Sequence, residues 1–257
     1  MHITAICPTY RKATPLATSL ACWLLQDYPP ANRQLVILDD GDVFSTQHGD
    51  TWQLYSSPRR FPSITSKYNT LLDLMGKTDA VLVWEDDDTY LPDYVSKHAV
   101  AFKRSLFNKP SRVLSDYPGK IVEERSDGRF HSSIGFRTEL LPIVKGWPNT
   151  KRADFDQQFI ANLTKAALEH DPVNGIGDPW PTGPIPFVYR WHTGHAHAQS
   201  TMDKGPADET WYDRSEQAYA RVNHVGKLVP CLDAATKSIF QQLGYSHESV
   251  VSMSHVS

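Results

Sequence analysis

Apolar and polar residues fall in alternating blocks along this chain, and the blocks carry two periods. Ile3 to Cys7 is a short continuous apolar run that ends at Pro8, the pattern of a strand buried on both faces. Thr14 and Pro15 then supply an N-cap and a first-turn proline, and Leu16, Leu20, Trp23 and Leu24 share one helical face. Leu35 to Leu38 reads as a second strand, running into the turn signal Asp39-Asp40-Gly41. Ser63 caps a second helix with the apolar stripe Ile64, Tyr68, Leu71, Leu72 and Met75, and Gly76 stops it. Ala80 to Trp84 is another continuous apolar strand, followed at once by Glu85-Asp86-Asp87-Asp88.

The second half is less regular. Arg112 to Ser115, Phe130 to Phe136 and Phe187 to Trp191 read as strands; Thr138 to Val144, Ala153 to His170, Asp208 to Val222 and Asp233 to Leu243 read as helices. The proline- and glycine-rich stretch from Asp171 to Pro186 reads as a loop, and the serine-rich end after His247 as a frayed tail. Strands apolar on both faces that alternate with helices predict an α/β fold: a mostly parallel central sheet flanked by helices, with a smaller irregular region after it. No internal repeat and no long linker divides the chain.

Composition narrows the class. A chain of 257 residues buries roughly 70–75% of its unfolded surface and folds without staples. The net charge of −3 gives no general attraction to nucleic acid or anionic membrane. Cys7, Cys22 and Cys231 lack metal-site spacing, and two lie in apolar segments, so the expected setting is reducing and cytoplasmic. No secretory leader and no apolar run of membrane-spanning length is read, which predicts a soluble protein.

In an open parallel sheet, ligands bind beyond the carboxyl ends of the strands. Three polar clusters take that position: Pro8-Thr9-Tyr10-Arg11, Asp39-Asp40 and the acidic run after Trp84. Four adjacent acids repel one another unless something neutralises them. A hard divalent cation does so through oxygen ligands, sharing them with substrate phosphates; the plain alternative is a solvated acidic loop.

These segments together resemble the family 2 glycosyltransferases, over roughly residues 2 to 200. Ile6-Cys7-Pro8-Thr9-Tyr10 is similar to that family's opening strand and base-binding loop, and Val36 to Gly41 to its second strand with a nucleoside-binding aspartate. Lys67-Tyr68-Asn69 with Gly76 to Ala80 is similar to the helix and turn before its metal motif. Trp84 to Pro92 is similar to the D-x-D-like metal motif itself. The resemblance implies a GT-A (Rossmann-like) domain over residues 1–257, with a nucleotide-sugar-binding half at 1–110, an acceptor and catalytic half at 111–205, and C-terminal helices and tail at 206–257. It implies an inverting hexosyltransferase that takes a UDP-sugar (glucose as the default choice) and uses Mn²⁺ or Mg²⁺. Pro8, Thr9, Tyr10 and Arg11 would wrap base and ribose, Asp39 would accept from the base, and Lys67 would lie near the diphosphate. Asp86 would contact ribose, Asp87 would bind the metal directly with Glu85 supporting it through water, and Asp88 belongs to the overlapping register of the motif.

Inverting transfer needs a carboxylate to take the acceptor's proton. Arg152-Ala153-Asp154-Phe155-Asp156 sits where the family carries its base, with Asp154 at the catalytic position and alanine where glutamate commonly precedes it. Among His192, His195 and His197, the resemblance puts His197 on the metal, then His195. Acceptors left open are a glycan, a small molecule, or a hydroxymethylated base in DNA approached by the basic pairs Arg59-Arg60, Lys103-Arg104 and Lys151-Arg152. The other readings are a nucleotidyltransferase, disfavoured by the missing glycine-rich phosphate loop, and an inactive nucleotide-sugar-binding module. Oligomeric state carries no sequence signal.

Overall fold

In the computed structural model, which describes residues 1–191, 212 and 223–245, the first apolar run forms β1 (Ile3–Thr9), buried along its whole length. It is followed by α1 (Ala13–Leu24), β2 (Arg33–Asp39), β3 (Gln47–Gly49), β4 (Trp52–Ser56), α2 (Ile64–Leu74) and β5 (Ala80–Val83). Next come β6 (Thr89–Tyr90), α3 (Tyr94–Ala101), β7 (Phe107–Asn108), β8 (Arg112–Tyr117), β9 (Lys120–Arg125) and β10 (Gly135–Arg137). The described chain closes with α4 (Leu141–Val144), α5 (Phe155–His170), β11 (Ile176–Gly177), β12 (Phe187–Arg190) and α6 (Ala234–Gln242).

The main sheet has the order β11-β7-β10-β5-β1-β2-β4-β3. β1 runs parallel to both neighbours, with Thr9 opposite Asp39 and Ile6 opposite Val83, and β4 extends the parallel set. The carboxyl ends of β1, β2 and β5 therefore share one edge. β10 and β3 run antiparallel to their neighbours, so the sheet is mixed at its flanks. A smaller sheet, β6-β12-β8-β9, stands beyond that edge.

Period-2 burial divides the core into two layers. Ile3, Ala5, Cys7, Leu35, Ile37 and Leu82 face Leu16, Leu20 and Trp23 of α1, Tyr94 of α3 and Phe240 of α6. Ile6, Val36, Leu38, Val81 and Val83 face Tyr68 and Leu71 of α2 and Phe159 and Leu163 of α5. This is the three-layer α/β arrangement that continuous apolar strands demand.

Several boundaries differ from the sequence reading, each for a local reason. α1 starts at Ala13, because the Lys12 carbonyl already accepts from the Leu16 amide at 3.0 Å; Pro15 still sits in the first turn. The segment read as a strand from Phe130 begins as a tight turn over His131–Ser133, where the Ser133 hydroxyl bonds the Phe130 carbonyl at 2.7 Å, a local bond that competes with strand pairing. The strand from Arg112 continues to Tyr117 and folds back as β9 through Gly119 at φ +79°. The loop from Asp171 contributes the two residues of β11. The helix read over Asp208 to Val222, Tyr212 apart, and the tail after His247 lie outside the described residues.

α2 carries a reciprocal capping box: Ser63 Oγ accepts from the Ser66 amide at 3.0 Å, and Ser66 Oγ accepts from the Ser63 amide at 3.2 Å. Gly76 ends the helix at φ +67°. Ser63→Ala is expected to lower the urea midpoint by the equivalent of about 1 kcal/mol with an unchanged slope; no shift of the midpoint would show that the box does not stabilise the fold.

Candidate functional site

The acidic run begins one residue after β5 and rests on an aromatic block. Trp84 is fully buried and stacks on Tyr90 at 3.6 Å between ring centroids, with Trp23 edge-on at 5.3 Å. Its indole N–H donates to Ser19 Oγ at 2.6 Å, and the Glu85 amide donates to the Tyr90 hydroxyl at 2.7 Å. The backbone that presents the four acids is therefore fixed from beneath.

Each acid has its own surroundings. Asp88 Oδ1 accepts from the Arg190 amide at 3.1 Å and Oδ2 from the Ser132 hydroxyl at 2.5 Å, which ties the run to β12 and to the 131–133 turn. Glu85 Oε1 lies 3.3 Å from the Tyr68 hydroxyl and 3.3 Å from His131 Nδ1. The Trp147 indole N–H donates to His131 Nε2 at 3.0 Å. Since that nitrogen accepts, Nδ1 carries the ring proton and donates to Glu85. Asp86 Oδ1 accepts from Lys12 Nζ at 2.9 Å, while Oδ2 is buried without a hydrogen-bond partner. Burial, only partly offset by Lys12, pushes the Asp86 carboxyl up to about 6. Asp87 Oδ2 takes the same ammonium.

One carboxylate oxygen from each of Glu85, Asp87 and Asp88 falls within 4.8 Å of the others. An all-oxygen donor set with an orphaned buried oxygen beside it fits a hard divalent cation. The residues present thus suit the metal that the sequence motif implies.

The loops after β1 and β2 meet on the same edge. Gly41 passes so close to Arg11 that a Cβ there would lie 2.7 Å from the Arg11 amide nitrogen. Pro8 pairs in register with Leu38. Tyr10 is 8% exposed and carries guanidinium groups over its ring, Arg11 at 4.7 Å and Arg60 at 4.6 Å; Arg60 also stacks on Tyr212 at 4.0 Å. Asp39 is fully buried, and its oxygens accept from the amides of Gly41, Val43 and Phe44 at 2.8, 2.9 and 3.2 Å. Burial raises its carboxyl, and those amides oppose the rise. Asp39 thus folds the loop that follows β2. Lys67 is 1% exposed; its ammonium donates to the Thr9 carbonyl at 2.8 Å and pairs with Asp40, whose Oδ2 accepts from the Phe61 amide at 2.8 Å. The ammonium that faces the acidic run is Lys12.

Asp154 is the N-cap residue of α5, and its carboxylate makes a two-pronged ion pair with Arg152 at 2.9 and 3.1 Å. That pairing holds its carboxyl below the usual range. Asp156, one half-turn on, behaves oppositely: burial raises its carboxyl, His131 lowers it and Glu85 raises it. The loop leading to α5 is anchored on α2 by Asn69 to the Trp147 carbonyl and Thr65 to the Thr150 carbonyl, each at 3.0 Å. His192, His195 and His197 lie outside the described residues. Of the three basic pairs, Arg60 and Arg152 are engaged as above, and Lys103-Arg104 is exposed at the end of α3, beside a groove of about 470 Å³ that Arg137 and His170 also line.

Lys12, Tyr68, Ser132, His131, Trp147 and Arg190 were not singled out as site residues from the sequence. Lys12 had a signal, as a cation adjoining the β1 rim cluster. The others act through contacts 16 to 102 residues apart in sequence and have no local signature.

No protein-family model and no curated protein sequence matches the chain. Among solved structures it is similar to residues 1–349 of S. aureus TarS in complex with UDP-GlcNAc, with a TM-score of 0.57 and 18% identity over 77% of this chain. It spans 61% of that fragment's length. It is also similar to the mannosyltransferase PcManGT from Pyrobaculum calidifontis in complex with GDP-Man and Mn²⁺, with a TM-score of 0.51 and 17% identity over 98% of this chain and 78% of the other. At these identities the likeness establishes the fold: a mixed α/β sheet flanked by helices, of the GT-A glycosyltransferase type. Among the described residues no helix is long and apolar enough to cross a membrane.

Lys67 and Asp40 form a buried ion pair at the root of this edge. Lys67→Met, which strands Asp40, is expected to cost about 3–5 kcal/mol by chemical denaturation, and the Lys67→Met, Asp40→Leu double variant to recover part of it. Equal loss in both would mean that the pair is not what the substitution breaks.

Proposed function

We propose that this chain is a divalent-metal-dependent glycosyltransferase of the family 2 type, which moves a hexose from a UDP-sugar to an acceptor hydroxyl with inversion at the anomeric carbon. Glucose is the default sugar. The observation that carries the reading is the convergence of the β1 loop, the β2 loop and the Glu85, Asp87 and Asp88 carboxylates on one edge of a GT-A sheet. The nucleotide-sugar complexes of TarS and PcManGT support a nucleoside-diphosphate donor for this fold.

In this reading Asp87 is the principal metal ligand, with Glu85 and Asp88 completing the carboxylate set. Asp88 doubles as a strut, since both its oxygens already hold protein donors. Tyr10, with Thr9 and Arg11, flanks base and ribose, and Asp39 contributes through the loop its carboxylate folds. Asp86 contacts ribose in this reading, as the sequence resemblance implies. Mn²⁺ or Mg²⁺ would supply positive charge to the departing diphosphate. His197 remains the histidine ligand suggested by the sequence resemblance.

Asp154 is the base: as N-cap of α5 and partner of Arg152 it is ionised at neutral pH and ready to accept the acceptor's proton as the hydroxyl oxygen attacks. A specific observation favours Asp156 as a second reading. Burial raises its proton affinity and the negative charge of Glu85 raises it further, which supports a proton-accepting role beside the acid cluster.

Incubation with UDP-, GDP-, TDP- and CMP-sugars is expected to give slow nucleotide release from one donor in Mn²⁺ or Mg²⁺ and none in EDTA. Metal-independent release would overturn the metal-dependent reading. Asp87→Asn is expected to abolish metal-dependent UDP binding by calorimetry; full retention would remove Asp87 from its role. Asp154→Asn is expected to keep donor affinity and lose transfer by at least about a hundredfold. If Asp156→Asn shows that loss instead, the base is Asp156, and the acid limb of kcat is then shifted upward from that of an ordinary aspartate. The sign follows from the raised carboxyl: the base is protonated, and the rate lost, as pH falls through a pKa that burial has lifted.

A further inference from the structure

The side chain of Lys12 springs from the residue before α1, caps nothing there, and reaches over to the end of β5. Its ammonium stands 2.9 Å from Asp86 Oδ1 and pairs as well with Asp87 Oδ2; side-chain exposures are 10% for Lys12, 4% for Asp86 and 3% for Asp87. Asp87 therefore belongs to two arrangements at once, the ion pair with Lys12 and the set of three carboxylates within 4.8 Å. A dication and an ammonium drawn to the same carboxylate repel each other, so the two arrangements compete. The lysine stem has four rotatable methylenes, and its backbone is anchored by the Lys12 carbonyl accepting the Leu16 amide. The head can move while its root stays fixed.

We propose that Lys12 is the exchangeable cation of the donor site: it neutralises Asp86 and Asp87 before a divalent cation binds, yields Asp87 to that cation, and then holds the diphosphate of the nucleotide sugar. This rests on the metal-dependent reading of the site. Two facts argue for exchange over a fixed strut. Lys12 lies at the solvent edge, unlike Lys67, which is 1% exposed beneath the same loops. Each partner of Lys12 also has other work: Asp87 sits in the carboxylate set, and Asp86 keeps a buried oxygen without a partner. The released ammonium would meet a diphosphate next to those acids, where it offsets charge on the leaving group. Binding is then ordered, with the metal preceding the nucleotide.

Calorimetry of the whole chain with Mn²⁺ alone, then with UDP or GDP in saturating Mn²⁺, tests this. Lys12→Met is expected to bind Mn²⁺ on the order of tenfold more tightly than the unmodified chain, and the nucleotide on the order of tenfold more weakly. A structural defect would weaken both, so the opposed signs are the diagnostic readout. Lys12→Arg, which keeps the charge and guards against loss of the fold in Lys12→Met, is expected to bind Mn²⁺ no more tightly than the unmodified chain. If Asp87→Asn abolishes Mn²⁺ binding while Lys12→Met leaves it equal or weaker, or if Lys12→Arg tightens it, the exchange is overturned and the metal site stands. If Mn²⁺ binds no form of the chain, or binds Asp87→Asn as well as the unmodified chain, the metal-dependent reading fails and the exchange falls with it.

Discussion

Repulsion among four adjacent carboxylates, at the end of a strand buried on both faces, is the constraint around which this structure is arranged. Left in water such a run would simply be solvated; here three of the four residues are nearly sealed from solvent. Each charge is therefore answered separately. Asp88 is held by an amide and a hydroxyl, Glu85 by a phenol and an imidazole, Asp86 and Asp87 by one ammonium. That single ammonium is shared by two buried carboxylates, and burial still lifts Asp86 to about 6. Among the described contacts the run carries more negative than positive charge, and a dication is a species that would offset the excess.

The scaffold beneath explains how the strain of like charges is tolerated. Trp84, Tyr90, Trp23 and Tyr94 form a continuous aromatic block under the run, and two of its polar tips bond Ser19 and the Glu85 amide. A second block, Tyr68, Trp147, His131 and Phe159, stands behind Glu85 on the opposite layer. Trp147 fixes the tautomer of His131, and His131 in turn orients Glu85. The acids are thus clamped from both layers of the core, so their spacing is set by the fold.

The parts of this arrangement that could be read from the sequence are those with a local period or a local turn. β1, β2 and β5 declare themselves as apolar runs, α2 by Ser63 and its stripe, and the shared rim follows from parallel pairing alone. β4 and β9 were missed because Trp52–Ser56 mixes polar and apolar positions and Lys120–Arg125 is largely charged. The acidic motif was legible and its supports were not. His131 reaches Glu85 and Arg190 reaches Asp88 only once distant segments are packed. Asp39 shows the opposite limit, since its position was evident, but nothing local said that its carboxylate would accept from three backbone amides.

Two lysines serve the two acidic clusters of this rim, and the difference between them is one of depth. Lys67 pairs with Asp40 where both side chains are almost wholly buried, with 2% and 0% exposure. Parting them would leave a bare charge in a medium that cannot solvate it, so that pair is permanent and its role is to join α2 to the loops after β1 and β2. Lys12 pairs with Asp86 and Asp87 at the margin, where water can receive the ammonium when it leaves. The same chemical pair thus acts as a rivet where both groups are sealed and, in the exchange proposed above, as a movable counter-ion where the ammonium is 10% exposed. The desolvation cost of separation, more than the strength of attraction, decides which role each lysine can take.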